Sequence, residues 1–213
     1  MSNYSIYDAK LRRLRDKVII VTGGATGIGR AIIALCHRAI EVWDDFTKQY
    51  GRIDAVICNA AINKVENLDD MLTETGKLEA PDLSVLDVNL TGTWYVTKCA
   101  LHFFNKHPQS ASQIVLFGSV ASYFNTPPLY TYFTAMVTDH IKKVWGDLPA
   151  NSPTDVARAS LLPLFQTDLN GKSFLINGGN ITEVEDKLVE AQPVWLGAEL
   201  DKNMREGQRR LIP

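Results

Sequence analysis

The sequence predicts an α/β fold in three layers, a mostly parallel sheet with helices packed over it, and three observations carry that prediction. Short β-branched runs at 17–22, 53–58 and 113–117 have the length and composition of buried strands. Between them lie stretches with apolar residues at helical spacing, one from Gly27 onward and one over 83–104. Strands that alternate with helices pair in parallel, because each helix carries the chain back to the end where the previous strand began.

Taken in order, the first run ends in glycines, and the helix after it places Ile28, Ala31, Ile32, Leu35 and Cys36 on one face. Helical character resumes through Val42, Trp43 and Phe46 to Tyr50, where Gly51 is a stop. Asp82 or Pro81 marks the start of the second long helix, in which Val85, Leu86, Val88, Leu90, Val96 and Leu101 are spaced for burial. Pro127-Pro128 forces a loop, Ser152-Pro-Thr-Asp-Val-Ala opens a helix to about Leu164, and 172–176 is a fourth strand. From Glu183 onward the chain is polar with isolated anchors at Trp195 and Leu196, which reads as a tail. The organisation is one domain over 1–182 followed by a C-terminal tail over 183–213.

Composition narrows the function classes. A chain of 213 residues that is 46% hydrophobic can bury its own core, and a formal charge of −2 gives no general attraction to nucleic acid or an anionic membrane. The basic stretch from Lys10 to Lys17 reads as a solvated lead-in. No apolar run approaches the roughly 18 residues of a membrane span, and the N-terminal residues lack a secretory apolar core, so a soluble cytoplasmic setting is expected. Cys36, Cys58 and Cys99 show no metal or disulfide spacing, and His37, His102, His107 and His140 are scattered, so no metal site is expected.

Chemistry concentrates at Thr22-Gly-Gly-Ala-Thr-Gly-Ile-Gly29, between the first strand and the first helix. Glycines there let the chain turn tightly and let a phosphate approach the backbone, while the helix N-terminus offers N–H groups and a positive dipole.

The spacing T-G-x-x-x-G-x-G resembles the short-chain dehydrogenase/reductase family, whose fold is Rossmann-type, and four further motifs follow in that family's order. Cys58-Asn-Ala-Ala61 resembles its N-N-A-G, with Ala61 in place of the glycine. Asp87-Val-Asn-Leu-Thr-Gly92 is similar to its helix segment bearing a catalytic asparagine, here Asn89. Phe117-Gly-Ser-Val-Ala-Ser122 resembles the serine motif, and Ser119 stands thirteen positions before Tyr132, the family's usual separation of serine and tyrosine. Lys172 to Gly179 is similar to the last strand and its glycine pair. Within the family the resemblance runs to prostaglandin-dehydrogenase-like members and to tailoring dehydrogenases of fungal secondary metabolism.

The resemblance implies an oxidoreductase that transfers hydride between NAD or NADP and a secondary alcohol or ketone. Thr22, Gly23, Thr26, Gly27, Ile28, Gly29, Asn59 and Ala60 would bind the dinucleotide; Asn89, Ser119 and Tyr132 would be catalytic. A small-molecule alcohol or ketone is the expected partner, with neither nucleic acid nor membrane, and a homo-oligomer follows from the family's habit. Two departures stand out. Tyr132 is followed by Phe-Thr-Ala-Met136, so methionine occupies the lysine position that would favour phenolate, and only 30 positions separate Gly29 from Asn59 where the family places two strands and an extra helix. The short connection leads either to a helix on the opposite face of the sheet or to an incomplete sheet. A truncated relative that binds or regulates without catalysis, and a structural protein that binds no dinucleotide, are therefore the alternatives.

Overall fold

The computed structural model describes residues 8–38, 52–64, 72–106, 111–119 and 150–211. The continuation of the first helix to Tyr50 and the Pro127-Pro128 loop lie outside these residues. Helix α1 (Asp8–Leu11) runs into a 3-10 turn over Arg12–Leu14. The lead-in is not simply solvated: Leu11 and Leu14, three residues apart on one side, are buried in the core while Arg12, Arg13 and Arg15 face solvent.

Strands β1 (Ile19–Val21), β2 (Ala55–Cys58) and β3 (Gln113–Leu116) form a parallel sheet in that order, with Val21 opposite Ile57 and Cys58 opposite Leu116. Asp54 ties the lower ends of β1 and β2 together. Its carboxylate accepts from Val18 N–H at 2.8 Å, from Arg52 at 3.2 Å and from Lys17 at 3.3 Å. Burial would raise its pKa, but these three donors outweigh burial and hold it below the ordinary value.

Alternation along the strands divides the core. Helix α2 (Gly27–Arg38) packs Ile32 and Leu35 on Ile57, with Ile19, Val21 and Val115 beside them. On the other face Val56, Cys58 and Ile114 meet Val96, Ala100 and Phe104. Those last three belong to α4 (Thr93–Lys106), which continues α3 (Ser84–Leu86) through a π turn over Asp87–Gly92. Asp82 opens this run by accepting from Ser84 N–H at 2.9 Å. The π turn corrects the expected burial. It offsets the helical phase by one residue: Val85, ahead of the turn, is buried as its spacing predicts, Asn89 within the turn is buried too, and Val88, Leu90 (60% exposed) and Leu101 (51%) face outward.

Helix α5 (Pro153–Ser160) starts on a capping box, Ser152 with Asp155, and has Pro153 in its first turn. It packs on the α2 face through Ala157, Leu161 and the 3-10 turn Leu162–Leu164, where Pro163 cannot extend an α-helix. The fourth strand does not join the parallel sheet among the described residues. Instead β4 (Phe174–Asn177) pairs antiparallel with β5 (Asn180–Glu183), and Gly178 and Gly179, both at positive φ, make the two-residue turn. Phe174, Ile176 and Ile181 still reach the α2-side core.

Nor are the last residues an irregular tail. Helices α6 (Glu185–Leu196) and α7 (Ala198–Leu211) form a hairpin, and Trp195 is 70% exposed rather than an anchor. Pro193 lies inside α6 and has no N–H for the Val189 carbonyl one turn back. Arg205 of α7 donates to that carbonyl at 2.8 Å while Asp201 holds the guanidinium at 2.7 Å. A composition that is polar along its length thus specifies a hairpin through one orphaned acceptor and one arginine.

Candidate dinucleotide and catalytic site

Parallel pairing brings the C-terminal ends of the three strands to one edge, where open α/β sheets bind ligands. The glycine turn leaves β1 there and is fastened to the end of β2. Thr22 Oγ1 accepts from the N–H groups of Asn59 at 3.0 Å and Ala60 at 2.9 Å, and Asn59 Nδ2 donates back to Thr22 O at 3.0 Å and Gly23 O at 3.4 Å. The packing is close enough to require glycine. A Cβ at Gly29 would lie 2.3 Å from Gly23 O and 2.7 Å from Asn59 Nδ2.

Gly27 is different. It has φ of +53° and open space where a Cβ would project. It also begins α2, whose first turn holds no acidic residue, and Arg30 N–H bonds to Thr26 O at 3.1 Å. By helix geometry the N–H groups of Gly27, Ile28 and Gly29 precede that bond and have no acceptor within the helix. The exposed turn and the dipole suit an anion, and the residues present fit a dinucleotide pyrophosphate. Asn59 Oδ1, buried with no hydrogen-bond partner, adds an unused acceptor beside the turn. Ile28 offers only its backbone, since its side chain packs into the core.

Asn89 reaches the same edge from the π turn. Its Oδ1 accepts from Ile62 N–H at 2.8 Å and its Nδ2 donates to Ile62 O at 2.9 Å, so one buried amide serves both backbone groups of Ile62 as a neighbouring strand would. The segment from Asn59 to Ile62 is therefore held between Thr22 and Asn89. Sequence reasoning missed Ile62; a buried helix-interior amide in need of two partners was the available signal. Lys64, two residues on, pairs with Asp82 at 2.7 Å and so closes the excursion that leads to α3.

Ser119 is half-buried, three residues beyond the end of β3 on this edge, whereas Tyr132 and Met136 lie outside the described residues. Cys58 stands where the first asparagine of N-N-A-G would be. Burial raises its thiol pKa, against a hydrogen bond with Thr97. Among the described residues no group of three or more His, Cys, Asp or Glu could hold a metal ion, and no helix is long and apolar enough to cross a membrane.

Comparison with known proteins agrees with this edge. The family model described as short chain dehydrogenase matches residues 36–136. The short-chain dehydrogenase/reductase prx4 of Penicillium rubens is 23% identical over 281 aligned positions, covering 92% of this chain and 85% of the relative. That alignment is longer than the chain's own 213 residues, so the relative carries stretches with no counterpart here. The 5'-hydroxyaverantin dehydrogenase of Dothistroma septosporum is 34% identical over 178 positions, covering 57% of this chain and 58% of the relative. The NADP-dependent dehydrogenase M3 of a Phoma species is 24% identical over 241 positions, covering 87% and 70%. A glycine turn bonded to Asn59, a buried asparagine on the following helix and these relatives converge: the chain is similar, over most of its length, to short-chain dehydrogenases/reductases, which are NAD(P)-dependent oxidoreductases.

Proposed function

We propose that the protein uses NADP(H) to interconvert a secondary alcohol and its ketone on a small molecule of fungal secondary metabolism. The preference for NADP over NAD, and the substrate class, follow the printed names of the Phoma and Dothistroma relatives. The observation that carries the reading is the junction of strand ends, where Thr22, Gly23, Gly29, Asn59 and Ala60 brace a turn whose open side at Gly27 admits a phosphate.

In this reading Thr26, Gly27, Ile28 and Gly29 present backbone to the pyrophosphate, and Thr22 and Asn59 keep that backbone in place. The bound dinucleotide supplies or takes up the hydride. Ser119 holds the substrate oxygen, and Tyr132 exchanges a proton with it. Asn89 acts as a positioning residue through Ile62. Because tyrosine has an ordinary pKa near 10 and Met136 brings no positive charge, the rate of alcohol oxidation, which needs the phenolate as base, is expected to climb toward alkaline pH, while ketone reduction, which needs the phenol as acid, is not. The domain over 1–182 carries the activity in a reducing cytoplasm, which suits three free thiols.

The test is NADPH formation from a panel of secondary alcohols, and NADPH consumption with the matching ketones, by the full chain. Turnover that Tyr132→Phe and Ser119→Ala each reduce by about 10²-fold or more supports the assignment. Turnover unchanged by both would remove those residues from the mechanism.

A further inference from the structure

We infer that Asn63, together with Ser84, receives a second polar group of the substrate, a hydroxyl other than the alcohol that is oxidised, and so selects substrates that carry it. The inference rests on the function proposed above. Among the described residues, five buried side-chain oxygen atoms have no hydrogen-bond partner. Three of them, Asn59 Oδ1, Asn63 Oδ1 and Ser84 Oγ, belong to the two segments that frame the C-terminal edge of the sheet, 59–64 and 82–89. Asn59 stands beside the glycine turn, on the dinucleotide side. The other two take no part in the bonds that hold the edge together, and a fold that keeps two such atoms out of water beside its site calls for a reason.

The backbone on both sides of Asn63 is fixed. Ile62, before it, has its N–H and its C=O bonded to the Asn89 amide at 2.8 Å and 2.9 Å, and Lys64, after it, pairs with Asp82 at 2.7 Å. Asp82 also accepts from Ser84 N–H at 2.9 Å, so the carboxylate that holds Lys64 sets the start of α3 and, with it, Ser84. This clamp leaves the centre strand of the sheet next to β3. Cys58 is opposite Leu116, with Asn63 five residues beyond the one and Ser119 three beyond the other. Neighbouring strands are about 4.8 Å apart, so a substrate whose reacting oxygen is held at Ser119 has the 59–64 segment for a wall.

The donor and acceptor types name the ligand chemistry. An amide oxygen only accepts, whereas a serine hydroxyl both donates and accepts. A ligand hydroxyl completes the set, donating to Asn63 Oδ1 and accepting from Ser84 Oγ. A ketone or carboxylate oxygen brings no donor for Asn63, and a hydrocarbon leaves both atoms unpaired, which is the penalty that selects against it. The class is a secondary alcohol that carries a further hydroxyl, phenolic or aliphatic. Asn63 and Ser84 determine specificity and leave the proton transfer to Tyr132.

The probes are methyl phenyl carbinol and its ortho-, meta- and para-hydroxyphenyl analogues, offered with NADP to the full chain and to its Asn63→Leu and Ser84→Ala variants. Both kcat/KM and the thermal midpoint, with and without each alcohol, are read. At least one hydroxylated analogue is expected to exceed the parent alcohol about tenfold or more in kcat/KM and to raise the midpoint further, and each substitution to bring that ratio near one. Without ligand, Asn63→Leu removes an unpaired acceptor and is expected to leave the midpoint unchanged or raise it by up to about 3 °C. Three results overturn the inference: no preference in the unsubstituted protein, a preference that persists in either folded variant, or a ligand-free midpoint lowered by about 4 °C or more in both variants, as when the two atoms hold an internal water for the fold. A preference in midpoint that both variants lose, with no NADPH formed from any probe, leaves the subsite in place and instead contradicts the proposed function.

Discussion

Among the described residues the two faces of the three-stranded sheet are filled unequally. On one, α1, α2, α5 and the β4–β5 hairpin close over Ile57 with Ile32, Leu35, Leu161, Leu162 and Phe165. On the other, Val56 and Cys58 meet Ala100, with Val96 and Phe104 half-buried alongside, while Trp94, Tyr95, Leu101 and Phe103 of α4 remain exposed. The filled face supplies the hydrophobic stabilisation that holds the sheet. The other face depends more on the Asn89 amide and its pairing with Ile62.

Substitutions can break or sharpen this contrast. Leu161→Ala, on the filled face and fully buried, is expected to cost about 2–5 kcal/mol in urea unfolding, with Val96→Ala on the opposite face costing clearly less. Equal losses would erase the distinction. Asn89→Leu leaves the N–H and C=O of Ile62 without their partner and is expected to cost about 1–3 kcal/mol; a loss near zero would remove the amide from the account of the thinner face.

Acid titration probes the lower edge, which both faces share. Because the folded pKa of Asp54 is depressed, its contribution is complete above the unfolded value of about 3.9 and is lost as pH falls through the folded value. Asp54→Asn should therefore lower stability at neutral pH and flatten the decline below about pH 4. An unchanged acid limb would contradict the clamp. Arg205→Met should cost about 1 kcal/mol and appear as faster amide exchange confined to α6 and α7, since it frees the Val189 carbonyl. The smallest effect concerns thiols: Cys99 on the exposed side of α4 should alkylate first, ahead of buried Cys58 and half-buried Cys36, whose thiol pKa values burial raises, that of Cys36 to about 11.

Strong periodicity made much of this legible in the sequence. The runs at Ile19–Val21, Ala55–Cys58 and Gln113–Leu116 are strands, and Ile32 and Leu35 are buried as their spacing predicts. Three features escaped because they depend on phase or partners rather than composition. A π turn moved Leu90 outward and Asn89 inward. Asn177-Gly-Gly-Asn180 turned the fourth strand back into a hairpin. Pro193 and Arg205, twelve residues apart, turned a polar stretch into paired helices. At the site, the glycine turn and Asn59 were readable as a motif, but the bonds through Thr22 and Ile62 that make them one structure emerge only from the fold.

Thermal unfolding of the full chain with and without millimolar NAD, NADH, NADP and NADPH tests the central claim most directly. A cooperative transition raised by NADP or NADPH, as binding to the native state requires, is the predicted result. A transition that none of the four dinucleotides moves would contradict a binding site at the Thr22 to Gly29 turn.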